Sequence, residues 1–302
     1  MGTLTFDTIT MPAGNLGPVS PLPPLEEPHS DRGPRQDMAE TEDLQTQDEN
    51  SLAVRYSGLR MGGGKLPYPM LDMFDRDRKD REFKVAILEN EFLRAVFLLE
   101  HGGRLWSLDH KPTGTNLVAP NPIFQPAYLA VRGSWYSGGV EWNATPGGHT
   151  PLTMDPHFTA VTQLDDGEPV LRIYEWERIC QIGYQVDCWL PDGSEYLFAR
   201  VRVVNPHDHE IPMYWWTNIA VDEGEGMRVV VPATVAKSWG YGGGGRDVTI
   251  PVYKDVDTTY STDLPGIGDF YYGIPKEQRP WLAYLDQEGK GLMHASTARL
   301  TG

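Results

Sequence analysis

Four segments of this chain alternate apolar and polar side chains, and short runs of turn-forming residues separate them. An alternation of two is the spacing of a β-strand, whose successive side chains point to opposite faces, and it does not fit the period of a helix. Strands of this length that recur with turn signals favour an antiparallel sandwich. The sequence therefore predicts an all-β fold, with strands over residues 170–177, 183–190, 196–204 and 212–221 and a further hairpin at 281–285 and 291–295.

The remainder of the chain is less uniform, and its composition predicts four consecutive regions. Residues 3–11 alternate imperfectly and predict a first strand at a sheet edge, which a proline-rich run follows. An acidic segment with almost no apolar residues comes next, and we expect it to be disordered. The predicted regions are an N-terminal strand with its proline-rich extension, an acidic linker, an irregular lead-in segment and an incomplete β-sandwich domain, at 1–28, 29–50, 51–82 and 83–302.

Charge and cysteine content limit the classes of partner. The 302 residues carry a formal net charge of −16, which repels phosphate backbones, so we expect no nucleic-acid partner. The sequence has no apolar run of membrane-helix length and begins without the features of a secretory signal, so we expect no membrane association. Cys180 and Cys188 are interpreted as two buried thiols in a reducing compartment, which predicts a cytoplasmic protein.

The stretch from 131 to 158 combines polar and aromatic side chains with many glycines and prolines. Glycine and proline at this density predict loops at the ends of strands, and loops on a rigid scaffold commonly carry binding chemistry. Aromatic faces cover the C–H patches of sugars, while amides, carboxylates and guanidinium groups bind sugar hydroxyls. We therefore predict a carbohydrate site whose binding residues are Trp135, Tyr136, Trp142, Asn143, His157, Trp215, Trp216, Asn218 and Arg132. Because neighbours on a strand point in opposite directions, only one of Trp215 and Trp216 can face it.

Glycoside hydrolysis requires two carboxyl groups across the scissile bond, one protonated and one ionised. Glu141 is the first candidate because it follows two glycines and lies between aromatic residues that would desolvate it. Glu177 and Asp222 are the preferred partners, while Asp155, Glu175 and Glu223 remain alternatives. His149 is a further catalytic candidate, since an imidazole titrates near neutral pH.

The same stretch is also a candidate metal site. His149 and His157, with Asp155 and Glu141, are donors that a metal accepts, but their spacing fits no compact zinc signature. We therefore predict no metal and no cofactor.

Several segments resemble a bacterial family known by its domain of unknown function, DUF5107. The resemblance lies in residues 83–114, 121–151, 171–179 and 205–221, including SWYSGGVEWNATPGGHTP and NPHDHEIPMYWWTNIAV. It implies a galactose-mutarotase-like antiparallel β-supersandwich, and it implies that longer members carry tetratricopeptide repeats after this domain. The present chain would then be truncated at its C-terminus.

The resemblance also bears on the reaction, because mutarotases use a histidine as acid and a glutamate as base. The strand that carries the first of those histidines in mutarotases reads YWWTN here and has none, which argues against plain mutarotation. The leading hypothesis is a carbohydrate-directed domain that acts on a glycoside by paired-carboxylate chemistry, as a hydrolase-like or epimerase-like enzyme. The alternatives are a non-catalytic carbohydrate-binding module and an interaction scaffold of a larger protein.

Overall fold

The computed structural model describes residues 2–21, 66–145, 148–211, 214–239, 246–264 and 268–297. The predicted acidic linker at 29–50 lies outside these residues. The described residues up to Val221 form one compact unit, and those from Asp222 onward form a second. Nearly all regular structure is antiparallel β, as predicted, and one short 3₁₀ helix spans Ser261–Asp263.

The strands of the first unit build two main sheets. In chain order they are β1 (Thr3–Ala13), β2 (Lys79–Glu89), β3 (Leu93–Leu98), β4 (Arg104–His110), β5 (Thr115–Asn116), β6 (Ala127–Ala130), β7 (Gly133–Trp135), β8 (Val140–Thr145), β9 (Phe158–Gln163), β10 (Pro169–Glu177), β11 (Ile182–Trp189), β12 (Phe198–Val204) and β13 (Tyr214–Ile219). A seven-stranded sheet has the order β1-β2-β3-β4-β8-β13, with β5 beside β4, and a four-stranded sheet has the order β12-β11-β10-β9. Strands β6 and β7 form a separate ribbon.

The second unit consists of smaller antiparallel sheets. Its strands are β14 (Arg228–Val230), β15 (Val235–Trp239), β16 (Arg246–Thr249), β17 (Val252–Tyr253), β18 (Val256–Asp257), β19 (Asp269–Tyr272), β20 (Trp281–Leu285) and β21 (Gly291–Ala295). They pair as β14-β20-β21, β16-β15-β19 and β17-β18. The hairpin of β20 and β21 is the one that the sequence predicts at 281–285 and 291–295.

The core of the first unit lies on both faces of the seven-stranded sheet. On one face Val85, Val96 and Trp106 pack with side chains from outside the sheet, among them Phe124 and Tyr136. On the other face the two sheets meet in a sandwich, where Tyr184 of β11 packs in one cluster with Ala144 of β8 and Trp215 of β13. Burial on both faces explains why β2 and β3 read as nearly continuous apolar runs.

The folded body includes residues that precede position 83, where the sequence predicts that it begins. Strand β1 pairs with β2 along its whole length, from Thr3 opposite Glu89 to Ala13 opposite Lys79. It therefore belongs to the main sheet, at the edge where it was predicted. Tyr68 and Leu71, in the predicted irregular lead-in segment, are buried in the core. Segments separated by dozens of residues thus share one sheet and core, which local composition does not reveal.

Candidate functional site

The candidate site lies on one face of the pair formed by β8 and β13. In their antiparallel register, Glu141 is opposite Asn218 and Asn143 is opposite Trp216. Residues directly opposite each other point to the same face of a sheet, so these four side chains share one face. The prediction that this stretch is a loop is wrong for residues 140–145. These residues, VEWNAT, form an extended internal strand whose side chains alternate between the two faces of the sheet.

Gly139 lets this strand approach its neighbour in the sheet closely. Gly139 has φ of +66°, in the left-handed region, and a Cβ atom there would lie 2.2 Å from the carbonyl oxygen of Leu105. Only glycine fits so close an approach of β8 to β4. The next residue, Val140, pairs with Leu105, and Glu141 then points to the face that Arg104 also occupies.

Glu141 is buried, with 3% of its side chain exposed, and its carboxylate accepts five interactions. Oε1 lies 2.6 Å from Oγ1 of Thr153, 3.2 Å from Nε1 of Trp135 and 3.3 Å from Nη2 of Arg104. Oε2 accepts Nδ1–H of His149 at 2.8 Å and Nδ2–H of Asn218 at 3.2 Å. A buried carboxylate is stable only when it is paired and hydrogen-bonded in this way.

These contacts keep Glu141 ionised. Burial by itself would raise the pKa of Glu141, but the hydrogen bond from His149 and the charge of Arg104 outweigh it and lower the pKa to about 2. At neutral pH Glu141 therefore has no proton to donate. Its chemical role here is to accept hydrogen bonds and to hold a neighbouring group.

His149 is partly accessible to solvent, with 18% of its side chain exposed. A carboxylate only accepts, so the proton of this hydrogen bond is on Nδ1 of the imidazole. Nε2, the other ring nitrogen, has no hydrogen bond to any residue that the structure describes. The imidazole lies between two indoles, with ring centroids 5.2 Å from Trp135 and 5.1 Å from Trp216. Nε1 of Trp216 donates to the carbonyl of Gly148 at 2.8 Å, which fixes that ring.

Other predicted binding residues belong to the core. Trp142 alternates with Glu141 on β8, so it points to the opposite face, where Nε1 donates to the carbonyl of Gly103 at 3.1 Å. Tyr136 is 1% exposed and packs among the core aromatics, with the guanidinium of Arg104 3.8 Å from its ring. Trp215 alternates with Trp216 and packs against Tyr184. Strand alternation therefore points Trp142 and Trp215 to the face opposite Glu141, whereas Tyr136 lies on the side of Glu141 but is enclosed in the core.

Asn143 shares the face of Glu141 but serves the backbone. It is fully buried, and its Oδ1 accepts the backbone N–H of Thr150 at 2.8 Å. This bond positions the segment that carries His149 next to strand β8. Asn143 thus supports the site without lying on its exposed side.

Arg132 and His157 belong to a second polar group. Arg132 forms an ion pair with Asp155 and also donates to the carbonyls of Pro69 and Pro151. His157 is buried and hydrogen-bonds Tyr184 through Nε2 at 2.7 Å. Burial lowers the pKa of His157 to about 4, against a smaller effect of its hydrogen bond to the Asp155 carbonyl. Neither side chain contacts Glu141 or His149 in the described part of the chain.

Glu177, one of the two preferred partner carboxylates, binds the backbone elsewhere in the first unit. Glu177 is fully buried and accepts the backbone N–H groups of Ile179 and Cys180 at 2.7 and 2.6 Å. Burial raises its pKa, although these bonds oppose the effect. It caps the turn that follows β10, which is a structural task. Asp222 is assigned to the second unit, and its role as a partner of Glu141 stays a prediction.

Arg104 and Thr153, of which Thr153 is absent from the predicted residues, complete the site. Thr153 makes the shortest of the hydrogen bonds to Glu141, and Arg104 supplies the positive charge that balances it. Arg104 also donates from Nη1 to the carbonyls of Tyr136 and Gly138. The sequence offers no local signal for Thr153, because it is twelve residues from Glu141 and not on the same strand.

Within the described ranges, no group of three or more histidine, cysteine or acidic side chains is arranged to hold a metal ion. Cys180 and Cys188 are both buried and unbonded to each other. Among the described residues there is also no helix with the length and apolar character needed to cross a membrane.

Comparison with known proteins places this architecture in a family. The family model described as a domain of unknown function, DUF5107, matches residues 62–301. The chain belongs to the DUF5107 family. The match includes every residue of the Glu141 site and extends through the second unit. The family description names no activity for a DUF5107 chain.

The DUF5107 fold is also present in a solved structure. This chain is similar to a TPR-domain containing protein from Parabacteroides distasonis ATCC 8503, with a TM-score of 0.72 and 17% sequence identity over 95% of this chain. At that identity the likeness shows the fold. The chain spans 43% of the length of that protein.

Proposed function

We propose that this chain is a carbohydrate-directed domain in which His149 transfers a proton while Glu141 holds its imidazole. The observation that carries the proposal is the row formed by Trp135, His149 and Trp216, with the buried carboxylate of Glu141 behind it. Indole rings offer apolar faces to the C–H patches of a sugar, and an imidazole between them is positioned to reach an oxygen of the same sugar.

In this proposal Glu141 positions His149 and is not one of two catalytic carboxyl groups. A paired-carboxylate mechanism needs one protonated carboxyl group, and a carboxyl with a pKa of about 2 is ionised at neutral pH. Glu141 instead fixes the tautomer and orientation of His149, as a carboxylate does behind a catalytic histidine. Nε2 is then the atom that accepts or donates the proton, in an epimerase-like or hydrolase-like reaction.

The alternative function is non-catalytic carbohydrate binding. It is favoured by one specific observation, that Glu141 is the sole carboxylate bonded to His149 among the described residues. A binding module needs only the aromatic walls and hydrogen-bonding groups such as Asn218. Catalysis requires a second group on the far side of the sugar.

The superfamily, the repeat region and the cellular location are also proposals. A galactose-mutarotase-like supersandwich agrees with the antiparallel sandwich, and a tetratricopeptide-repeat region in the full-length protein is suggested by the TPR-domain containing protein that shares the fold. A cytoplasmic location is suggested by Cys180 and Cys188, which form no disulfide with each other.

A glycan array and a panel of p-nitrophenyl glycosides, applied to this chain and to the full-length protein, test the proposal. We expect binding by both and turnover that His149→Gln abolishes. Lys84→Gln, on an exposed side chain of β2, is the control and should behave like the wild type. Turnover by the full-length protein alone would mean that residues outside this chain complete the site. Binding without turnover in both would favour the binding module, and neither binding nor turnover would leave the interaction scaffold.

A further inference from the structure

The outward face of the four-stranded sheet carries a second group of aromatic and charged side chains. One face of this sheet is buried in the sandwich through residues such as Leu171, Ile173 and Val186. The alternate residues point outward, and the pairing registers align them across all four strands. Those that matter here are Phe158, Tyr174, Trp176, Arg172, Arg200 and Arg202.

The aromatic side chains on this face are exposed and held in place. Phe158 of β9 and Tyr174 of β10 stack with centroids 5.5 Å apart, although they are 60% and 40% exposed. Trp176 is 45% exposed, and the strand opposite it has Gly183, whose missing side chain leaves room for the indole. Rings that are already positioned lose little conformational freedom when a ligand covers them.

A second aromatic pair lies at the other end of the same strands. Trp189 of β11 stacks on Phe198 of β12 with centroids 5.3 Å apart and an angle of 12° between the rings. Trp189 is six residues along β11 from Gly183, which is about 20 Å at the rise of a β-strand. A groove of about 480 Å³ borders this end, lined by Gln163, Leu164, Asp165, Asp166, Trp189 and Arg200.

Arginines fill the space between the two aromatic ends. Asp187 is fully buried on the outward side of β11 and accepts Arg172 through two hydrogen bonds of 2.7 and 2.8 Å and Arg200 at 3.4 Å. Arg202 points outward opposite Gln185, one pair further along. Three arginines against one aspartate give the outward strand residues a charge of +2, in a chain whose net charge is −16. Asp165 and Asp166 add two negative charges at the adjoining groove.

We propose that this face binds an acidic polysaccharide, with sugar rings on the aromatic ends and carboxylate or sulfate groups on the arginines between them. The positive charge between the aromatic ends, opposite in sign to that of the chain, favours anionic groups of the ligand at that position. The guanidinium fork matches the geometry of a carboxylate. The separation of the aromatic ends fits an extended polymer, and Asp165 and Asp166 accept hydrogen bonds from hydroxyl groups at the groove.

This inference does not depend on the function proposed for the Glu141 site, because the two faces share no residue. Native affinity electrophoresis tests it, with polygalacturonate as the acidic probe, dextran as the neutral probe and poly-L-glutamate as an anion without sugar rings. We expect polygalacturonate to retard the wild type, and added salt to weaken the effect, since exposed charges are screened. Dextran and poly-L-glutamate should leave the mobility nearly unchanged.

Single substitutions test whether polygalacturonate binds to this face of the four-stranded sheet. Trp176→Ala and Arg202→Gln should each weaken the apparent affinity for polygalacturonate about tenfold, the equivalent of one charge-assisted hydrogen bond or stacking contact. Phe6→Ala, an exposed aromatic of β1, and Lys84→Gln are the matched controls and should bind normally. His149→Gln should also bind normally, which separates this face from the other site.

Three results would overturn the proposal. Equal retardation by dextran would show that charge plays no part, and equal retardation by poly-L-glutamate would show that an acidic peptide suffices. Self-association of the wild type that Trp176→Ala abolishes, seen by sedimentation velocity, would assign the face to a second copy of this chain. Circular dichroism of each variant checks that loss of binding does not reflect loss of folding.

Discussion

The Oε2 atom of Glu141 and the Nδ1 atom of His149 meet at 2.8 Å, one residue buried and the other partly exposed. The pair divides two tasks between its two residues. Glu141 compensates Arg104 inside the protein, whereas His149 presents its second ring nitrogen outside it. Stability and function should therefore respond differently to substitutions in the two residues.

Glu141→Gln should destabilise the fold by about 3 kcal/mol, because Arg104 would keep its charge in a buried position without a counter-ion. Urea unfolding followed by tryptophan fluorescence measures the change. Glu100→Gln removes a charge from a more exposed ion pair with Lys84 and should change stability by less than about 0.5 kcal/mol. Equal stability of the two variants would contradict the structural role of Glu141.

The lowered pKa of Glu141 makes a pH dependence measurable. The ordinary pKa of 4.5 falls to about 2 in the folded protein, so the stabilisation is complete above pH 4.5 and is lost as the pH falls towards 2. The wild type should therefore lose stability across this interval more steeply than Glu141→Gln. Denaturant midpoints at several pH values test this, and parallel curves for the two proteins would count against it.

The neighbouring tryptophans of β13 provide a matched comparison. Trp216→Ala should lower the affinity for the best-bound glycan about tenfold, because it removes one aromatic wall of the site. Trp215→Ala should cost about 2 kcal/mol of stability, since it removes a side chain packed on Tyr184. Isothermal titration and urea unfolding of both variants separate the effects. A loss of affinity in Trp215→Ala with none in Trp216→Ala would reverse the assignment of faces.

The burial of His157 predicts a second effect of pH on stability, at higher pH than that of Glu141. Its pKa falls from 6.5 to about 4 because the imidazole is buried, so it stays neutral in the folded protein while the unfolded chain takes up a proton. Stability should therefore decline as the pH falls from 6.5 towards 4. His157→Gln keeps an acceptor for Tyr184 and should flatten this part of the curve. An unchanged slope in that variant would mean that other groups cause the decline.

Gly139→Ala should destabilise the protein by several kcal/mol. The added methyl group meets the Leu105 carbonyl oxygen, and the positive φ strains an alanine. Gly114→Ala is the control, because its φ is also positive but nothing lies within 4 Å of the new Cβ atom. Thermal unfolding should show a much larger shift for Gly139. Equal shifts would attribute the effect to φ alone.

The sequence by itself determined the elements and their alternation. The period of two predicted β10 to β13, the hairpin of β20 and β21 and the all-β class, because strand geometry is a local property of the backbone and its side chains. The same alternation predicted that Trp215 and Trp216 would point to opposite faces. The resemblance of its segments also identified the family.

Only the tertiary structure decided which residues meet. The register of β8 and β13 brings Asn218 to Glu141 across 77 positions of sequence, and Arg104 and Thr153 reach it from other parts of the first unit. The same packing placed Trp142 and Tyr136 in the core and left His149 at the surface. Burial, and with it the pKa of Glu141, depends on these distant neighbours, so no local pattern in the sequence could specify it.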